Sequence, residues 1–500
     1  MIKTYLLDYN GIKHHTDTLP WNSNALINDL GLKPILNIMA SGDEFLLKNS
    51  TAFLLNSADS IDEIIYRQEI LKDFIENNEI ALKIYEIASS FLKEAQKQFF
   101  WFSNNESLSM QISIDVLKLF AKQMDQIREI MSIISKKIKS RGLKKFNHVV
   151  TEVFHSEYMQ EILNNLERLQ FKDGITLSVS LGMGNEGKDY ILHKPGVKKK
   201  NIKKIMGETI EQHYTYTLAD RDISGGEEIV DIRNRGIRSA AMALKKSAEN
   251  SMKFFKDLRS EIGFYLASLN LLEEIKKRSG RYCFPEPLEI GTDKLRFNGL
   301  YELGLMLATK STVVPNNIDG DGKRLFVITG TNRGGKSTFL RSIGQAQLLM
   351  QCGMFVPAES FISSIVTGIF THFKHEEDIT MERGKFDDEL SMMNDIATYI
   401  RKNGMLLFNE SFSSTNTREG SEIAMQITNA LLENGIRIFF VSHLYEFASA
   451  MMDQNDTSSM FLIAERTNAG EHTYKIIQGS PSVTGHGMDL YKKIFNTSGR

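Results

Sequence analysis

Proline and cysteine are the residues this chain does with least of. Eight prolines in 500 residues leave long stretches free to run as unbroken helix, because proline is a principal helix breaker. Two cysteines, Cys283 and Cys352, exclude a disulfide framework and suit a reducing compartment. No apolar run reaches the roughly 18 residues that a membrane-spanning helix needs, and no charged-then-apolar leader opens the chain. The expectation is a cytoplasmic protein with no membrane partner. An excess of one charge is also missing, since 60 Lys and Arg against 62 Asp and Glu leave a net charge of −2. Any contact with nucleic acid must then come from local basic surfaces, not from a general positive field. What remains, 42% hydrophobic and 24% charged residues, is a globular chain, too long for one core and sized for about three domains.

Residues 1–60 are mixed, with turn signals at Leu19-Pro20 and Ser41-Gly42 and no motif. Over 61–173 apolar residues recur every three or four positions, as in Ile64, Ile65, Ile70, Leu71 and Phe74, then Leu117, Phe120, Met124 and Ile127. That spacing predicts amphipathic helices packed on one another. Residues 174–181 alternate like a half-buried strand, with 189–193 as its mate, inside a small β-containing insert at 174–217. Within 218–283 the stripe Phe255, Leu258, Ile262, Tyr265, Leu269, Leu272 and Ile275 predicts a long helix from about Asp231 to Arg278, with Gly263 near its centre. Periodicity alone fits a helical bundle or a lever. Cys283–Pro287 breaks the pattern, and over 284–500 short apolar runs alternate with helices as in an α/β sheet. The fold class expected is an α/β domain at the C-terminal side, preceded by an elongated, mainly helical region with a small β insert.

The densest signal is Leu325–Thr338, L-F-V-I-T-G-T-N-R-G-G-K-S-T. It is a buried strand, a glycine-rich turn and a helix start carrying G-x-x-x-x-G-K-[ST], the P-loop or Walker A pattern. Backbone N–H groups of Gly330, Thr331, Asn332, Arg333, Gly334, Gly335, Lys336, Ser337 and Thr338 can curl around phosphate oxygens, and the helix N-terminus adds a favourable dipole. Lys336 would reach the β- and γ-phosphates and Ser337 would ligate Mg²⁺, so ATP and Mg²⁺ are the expected ligands. A second strand, Met405–Asn409, ends in a polar pair, Asn409 and Glu410. Asn409 occupies the usual Asp position; its amide oxygen can serve a Mg²⁺-bound water but brings no charge. Glu410 suits a general base that orients the attacking water. A third run, Ile436–Val441, leads into Ser442 and His443, where a histidine beside phosphates can sense the γ-phosphate or position water. Together Lys336, Glu410 and His443 are the catalytic set expected of a slow Mg²⁺-dependent ATPase.

These motifs resemble the MutS mismatch-repair ATPase family, whose ATPase is related to the ABC and SMC type. Thr329–Arg341 is close to the family's T-G-x-N-x-x-G-K-S-T-x-L-R, with Asn332, Leu340 and Arg341 its distinctive positions. Asn409–Gly420 follows D-E-x-x-x-G-T-S-T-x-x-G in length, Val441–Phe447 is similar to A-T-H-x-x-E-L, and Gly353–Glu359 looks like G-x-F-V-P-A. Tyr66–Asp73 looks like the start of the family's core and lever helices. The resemblance implies Mg²⁺ near Ser337 and Asn409, Glu410 as base and His443 as phosphate sensor. It also implies a homodimer with ATP sites at the interface, completed by the partner's Ser413–Thr417 region, and lever helices with a DNA clamp at 174–217. The family's G-x-F-x-E mismatch wedge does not occur, Arg383–Glu389 lacks the Ser-Thr that reaches across the dimer, and the sequence ends at Arg500, where the family usually continues into a helix-turn-helix tail. An ATP-dependent DNA-binding protein without direct mismatch readout is expected, with Lys136, Lys137, Lys139, Lys198, Lys199 and Lys200 as candidate phosphate contacts on DNA. A nucleotide-gated protein–protein switch and a nucleotide-binding pseudo-ATPase remain open alternatives.

Overall fold

The computed structural model describes residues 3–7, 18–56, 58–99, 105–172, 174–194, 214–219, 221–309, 312–374, 384–467 and 471–481. Two compact units separate: Met1–Thr4, Leu82–Ile138 and Leu143–Ile262 in one, Tyr5–Ala81, Lys139–Gly142 and Gly263–Arg500 in the other. The limits at Ala81–Leu82 and Ile262–Gly263 fall inside the helices Asn78–Phe99 and Ile223–Lys277. Among the described residues no helix is long and apolar enough to cross a membrane.

The first unit is mainly helical, built from most of Asn78–Phe99, Glu106–Ile134, Ser156–Arg168 and the first part of Ile223–Lys277. Phenylalanines at helical spacing meet in its core. Phe91 and Phe255 stack with centroids 4.1 Å apart, while Phe120 meets Phe154 and Phe255 edge-on at 5.5 and 5.7 Å. The alternating segment forms β1 (Leu177–Leu181), antiparallel to β2 (Gly187–Leu192). The long helix begins at Ile223, well before Asp231, and runs 55 residues to Lys277. Its start was hidden because Gly225 and Gly226 occupy the first turn and carry no apolar signal. Asp222 caps that turn, its Oδ1 accepting from Gly225 N–H at 2.9 Å.

The second unit holds β3 (Glu286–Leu288), β4 (Leu295–Leu300), β5 (Asn316–Asp319), β6 (Leu325–Thr329), β7 (Ser360–Ser364), β8 (Ile369–Phe373), β9 (Met405–Asn409), β10 (Arg437–Val441), β11 (Ser459–Arg466) and β12 (His472–Gln478). One sheet runs β12-β11-β6-β10-β9-β8 and the other β3-β7-β4-β5. In the larger sheet β11, β6, β10, β9 and β8 are parallel and β12 closes one edge antiparallel. Every residue of β6 and β10 is buried, so these strands read as continuous apolar runs, as strands covered on both faces must. Phe408 and Phe440 face a core with Met393, Ile396, Ala424 and Phe447 from the helices Lys385–Tyr399, Thr417–Glu433 and Tyr445–Asp453. Leu407 points the other way, to helix Lys336–Gln351 at Gly344.

The N-terminal residues carry no motif, yet they support that same helix. Three helices, Ser23–Asp29, Lys33–Ala40 and Glu44–Leu55, belong to this unit. Arg341 Nε donates to Asp29 O at 2.8 Å, Gln345 Nε2 to Leu30 O at 2.7 Å, and Gln351 Nε2 to Ala58 O at 3.2 Å. At Gly344 a Cβ would lie 2.6 Å from a Leu30 methyl and 2.8 Å from a Leu407 methyl, so a larger residue there must displace buried leucine side chains.

Candidate functional site

β6 ends mid-sheet, between β11 and β10, and the chain turns there into helix Lys336–Gln351. Open α/β sheets leave a crevice at such a position, outside the carboxyl ends of the strands. The turn passes through positive φ at Gly330 (120°), Arg333 (64°) and Gly335 (88°). Gly330 and Gly334 also lie against β11, where a Cβ would come within 3.0 and 2.8 Å of the Ala464 methyl. Lys336 is buried and folds back over the turn, Nζ donating to Gly330 O at 3.0 Å and Thr331 O at 2.9 Å. Burial lowers its pKa, and the nearby Glu410 carboxylate opposes that shift. Free N–H groups at a helix start beside a lysine make a cradle for an anion.

Parallel pairing of β10 with both β6 and β9 brings three strand ends together. Ser337 Oγ donates to Asn409 Oδ1 at 2.8 Å. Glu410, at φ 57°, donates its N–H to Val441 O at 2.9 Å, and its Oε1 lies 2.7 Å from His443 Nε2. The His443 hydrogen bond is the chief reason the Glu410 carboxyl is held below the usual carboxylate range. Burial works against it, and the charges of His443, Lys336 and Lys374 add to it. Lys336, Ser337 and Glu410 line a pocket of about 500 Å³ together with, among others, Tyr301, Val314 and Tyr474. The donor set fits a hard cation such as Mg²⁺. A hydroxyl and an amide oxygen stand side by side with one carboxylate next to them. Among the described residues no group of three or more His, Cys, Asp or Glu is arranged for a metal, so such a cation would depend on ligand phosphates and water.

Two residues of the crevice wall were not anticipated. His472 Nδ1 lies 3.4 Å from Thr331 Oγ1, and Tyr474, at φ 60°, lines the pocket; both belong to β12. The Ser413–Thr417 region is tied to the start of helix Thr417–Glu433. Asn416 caps it by accepting from Glu419 N–H at 2.9 Å, and Thr415 Oγ1 donates to the Glu419 carboxylate at 2.6 Å. Of the basic candidates, Lys136 and Lys137 are exposed in the helical unit. Lys139 falls in the other unit and binds Glu76 at 2.7 Å, which raises its pKa. Lys198, Lys199 and Lys200 lie outside the described residues.

Two family models match the chain: the MutS2 N-terminal domain over residues 59–278 and MutS domain V over 326–497. The chain is 27% identical over 291 residues to the DNA mismatch repair protein MutS of Thermotoga maritima, covering 57% of this chain and 36% of the relative. It is 27% identical over 264 residues to that of Lactobacillus acidophilus, covering 50% and 30%. With that of Bacillus licheniformis it shares 26% over 287 residues, covering 54% and 32%. The chain thus spans about a third of the length of the curated relatives it matches.

Proposed function

We propose that the chain, matched by the MutS2 N-terminal and MutS domain V models, is a MutS-type ATP-dependent DNA-binding protein that works without direct mismatch readout. The observation that carries this reading is that Ser337 and Glu410 line the pocket beside the Gly330–Lys336 turn, the first paired with Asn409 and the second with His443. ATP enters with its phosphates on the turn, and Lys336 exchanges the Gly330 and Thr331 carbonyls for phosphate oxygens. Ser337 and Asn409 would hold Mg²⁺, which when bound neutralises charge on the β- and γ-phosphates. Glu410 orients a water for attack on the γ-phosphorus. The new P–O bond forms as the bond to the ADP oxygen breaks, and the water's proton passes to Glu410. His443 keeps the carboxylate aimed. Turnover is slow, because Asn409 supplies an oxygen without a charge.

In this reading ATP binding switches the helical segments, with the 174–217 insert as clamp, between open and closed states on DNA. A two-fold dimer places each ATP site near the partner copy. The test is binding to duplex, mismatched, junction and single-stranded DNA, each with and without a non-hydrolysable ATP analogue, at rising salt. Nucleotide-dependent binding that weakens steeply with salt is the expected result. Binding indifferent to both, or none, removes the clamp. The net charge of −2, which supplies no general positive field for DNA, favours a second reading, a nucleotide-gated switch between proteins. Recovery of a protein partner by the ATP-bound form, independent of DNA, would select it.

A further inference from the structure

Behind Glu410 lies a short loop whose backbone is held in an unfavourable shape. Glu410 and Phe412 both have positive φ, 57° and 59°, a conformation that costs a non-glycine residue about 1–3 kcal/mol and persists only where its surroundings impose it. The surroundings are specific. Ser411 is fully buried, its Oγ 2.7 Å from both Nδ1 and the carbonyl oxygen of His372 on β8. Phe412 N–H donates to Glu389 Oε2 at 2.6 Å, and Ser414 Oγ donates to Glu389 Oε1 at 2.6 Å. The backbone oxygen of Glu389 lies 2.9 Å from His372 Nε2, whose ring stacks on Phe412. One residue of helix Lys385–Tyr399 therefore holds the loop from both sides, through two carboxylate oxygens and, by way of His372, through its carbonyl.

Glu389 is 9% exposed and does not line the nucleotide pocket, whereas Glu410 does. A carboxylate taken out of water to accept from one N–H and one hydroxyl is an expensive way merely to close a loop. It does suit a loop whose geometry has to be kept. We propose that Glu389 is a positioning residue for hydrolysis: by fixing Phe412 and Ser414 it fixes the backbone at Glu410, and with it the contact between Glu410 and His443. This rests on the reading of Glu410 as the base. Glu389 itself touches neither ATP nor water in the reaction. Glutamine at this position keeps the shape but turns one acceptor oxygen into a donor, facing either an N–H or a hydroxyl that previously gave it a proton.

The test is a cycle of Glu389→Gln, Glu410→Gln and the double variant, read as kcat, ATP affinity and the ring ¹H–¹⁵N signals of His443. Glu389→Gln should lower kcat by about 10- to 100-fold, the size expected for a small misplacement of a catalytic group. ATP affinity should stay within about twofold, since the Gly330–Lys336 turn does not touch Glu389. The double variant should be no slower than Glu410→Gln alone, because Glu389 acts only through Glu410. The His443 Nε2 signal should move in Glu389→Gln. A kcat loss that repeats in full on the Glu410→Gln background, or a His443 signal that stays in place, overturns the proposal. If the wild type binds ATP but does not turn it over, the ATPase reading has failed; the His443 signal then decides the positioning role alone. Should Glu389→Gln fail to fold, Ser414→Ala removes only the Oε1 contact, and a smaller kcat loss with a shifted His443 signal is required of it.

Discussion

Ser337 Oγ donates a 2.8 Å hydrogen bond to Asn409 Oδ1, joining the first turn of the helix after β6 to the end of β9. In the proposed ATPase reading that pair would hold the Mg²⁺ of ATP, and neither member carries charge. Asn409→Asp leaves the hydrogen bond possible and adds one negative charge beside the cation. At a partly solvated site a charge at contact distance contributes a few kcal/mol before solvation costs. The expected outcome is a Mg²⁺ midpoint for ATP hydrolysis lowered about tenfold, with a faster maximal rate. A Mg²⁺ titration of both proteins checks this, and coincident curves would show that Asn409 does not limit the site.

Lys336 now spends its donors on two carbonyls of its own turn. Those contacts tie the ammonium to its own turn, and it is the group that phosphate would claim. Removing it in Lys336→Ala deletes charge-assisted hydrogen bonds of about 1.5–3 kcal/mol. ATP affinity should fall at least about tenfold, while the thermal midpoint without nucleotide changes by only a few degrees. Equilibrium binding of a fluorescent ATP analogue is the measurement. Equal affinity for wild type and variant would place the phosphates elsewhere.

Much of this site could be read from the residue order, for a physical reason. β6, β9 and β10 are buried parallel strands, so each is a mainly apolar run that stops where a candidate site residue begins: Gly330, Asn409 and Glu410, Ser442 and His443. Tyr474 and His472 left no such mark, because an edge strand with exposed positions looks like any surface hairpin. Glu389 was equally silent, since an acid on an amphipathic helix looks like part of a solvated face until the fold turns it inward. The support from residues 18–58 could not be seen either. Its hydrogen bonds go from Arg341, Gln345 and Gln351 to backbone carbonyls, which no side-chain pattern reports.

That support makes a stability prediction. At Gly344 the helix carrying Lys336 is squeezed between Leu30 and Leu407, at 2.6 and 2.8 Å from a would-be Cβ. Alanine favours helix intrinsically, by up to about 1 kcal/mol over glycine, but overpacking here costs about 1–3 kcal/mol. Gly344→Ala should therefore come out destabilised, against its helix propensity, and Gly344→Val more so. Chemical denaturation of the three proteins tests the order. A stabilised alanine variant would mean that residues 18–58 do not clasp this helix in solution.

The last prediction concerns pH and separates an enzyme from a nucleotide-binding relic. Glu410 acts as a base only when ionised, and its pKa is depressed, first by the His443 hydrogen bond and then by neighbouring positive charge, in spite of burial. A depressed pKa keeps the carboxylate ionised as pH falls through the ordinary carboxylate range, so the acid limb of kcat should lie below that range. His443→Ala removes the largest cause of the depression and leaves burial less opposed. The limb should then move to higher pH, and the variant should lose activity on acidification before the wild type does. Glu410→Gln removes the base altogether; it should cut kcat by about 10²- to 10⁴-fold while ATP still binds. The measurement is kcat at saturating ATP across the acid range for the three proteins, with ATP binding followed in parallel. If wild type and Glu410→Gln both run at the background rate, the chain binds ATP without hydrolysing it, and Asn409 marks the loss of catalysis.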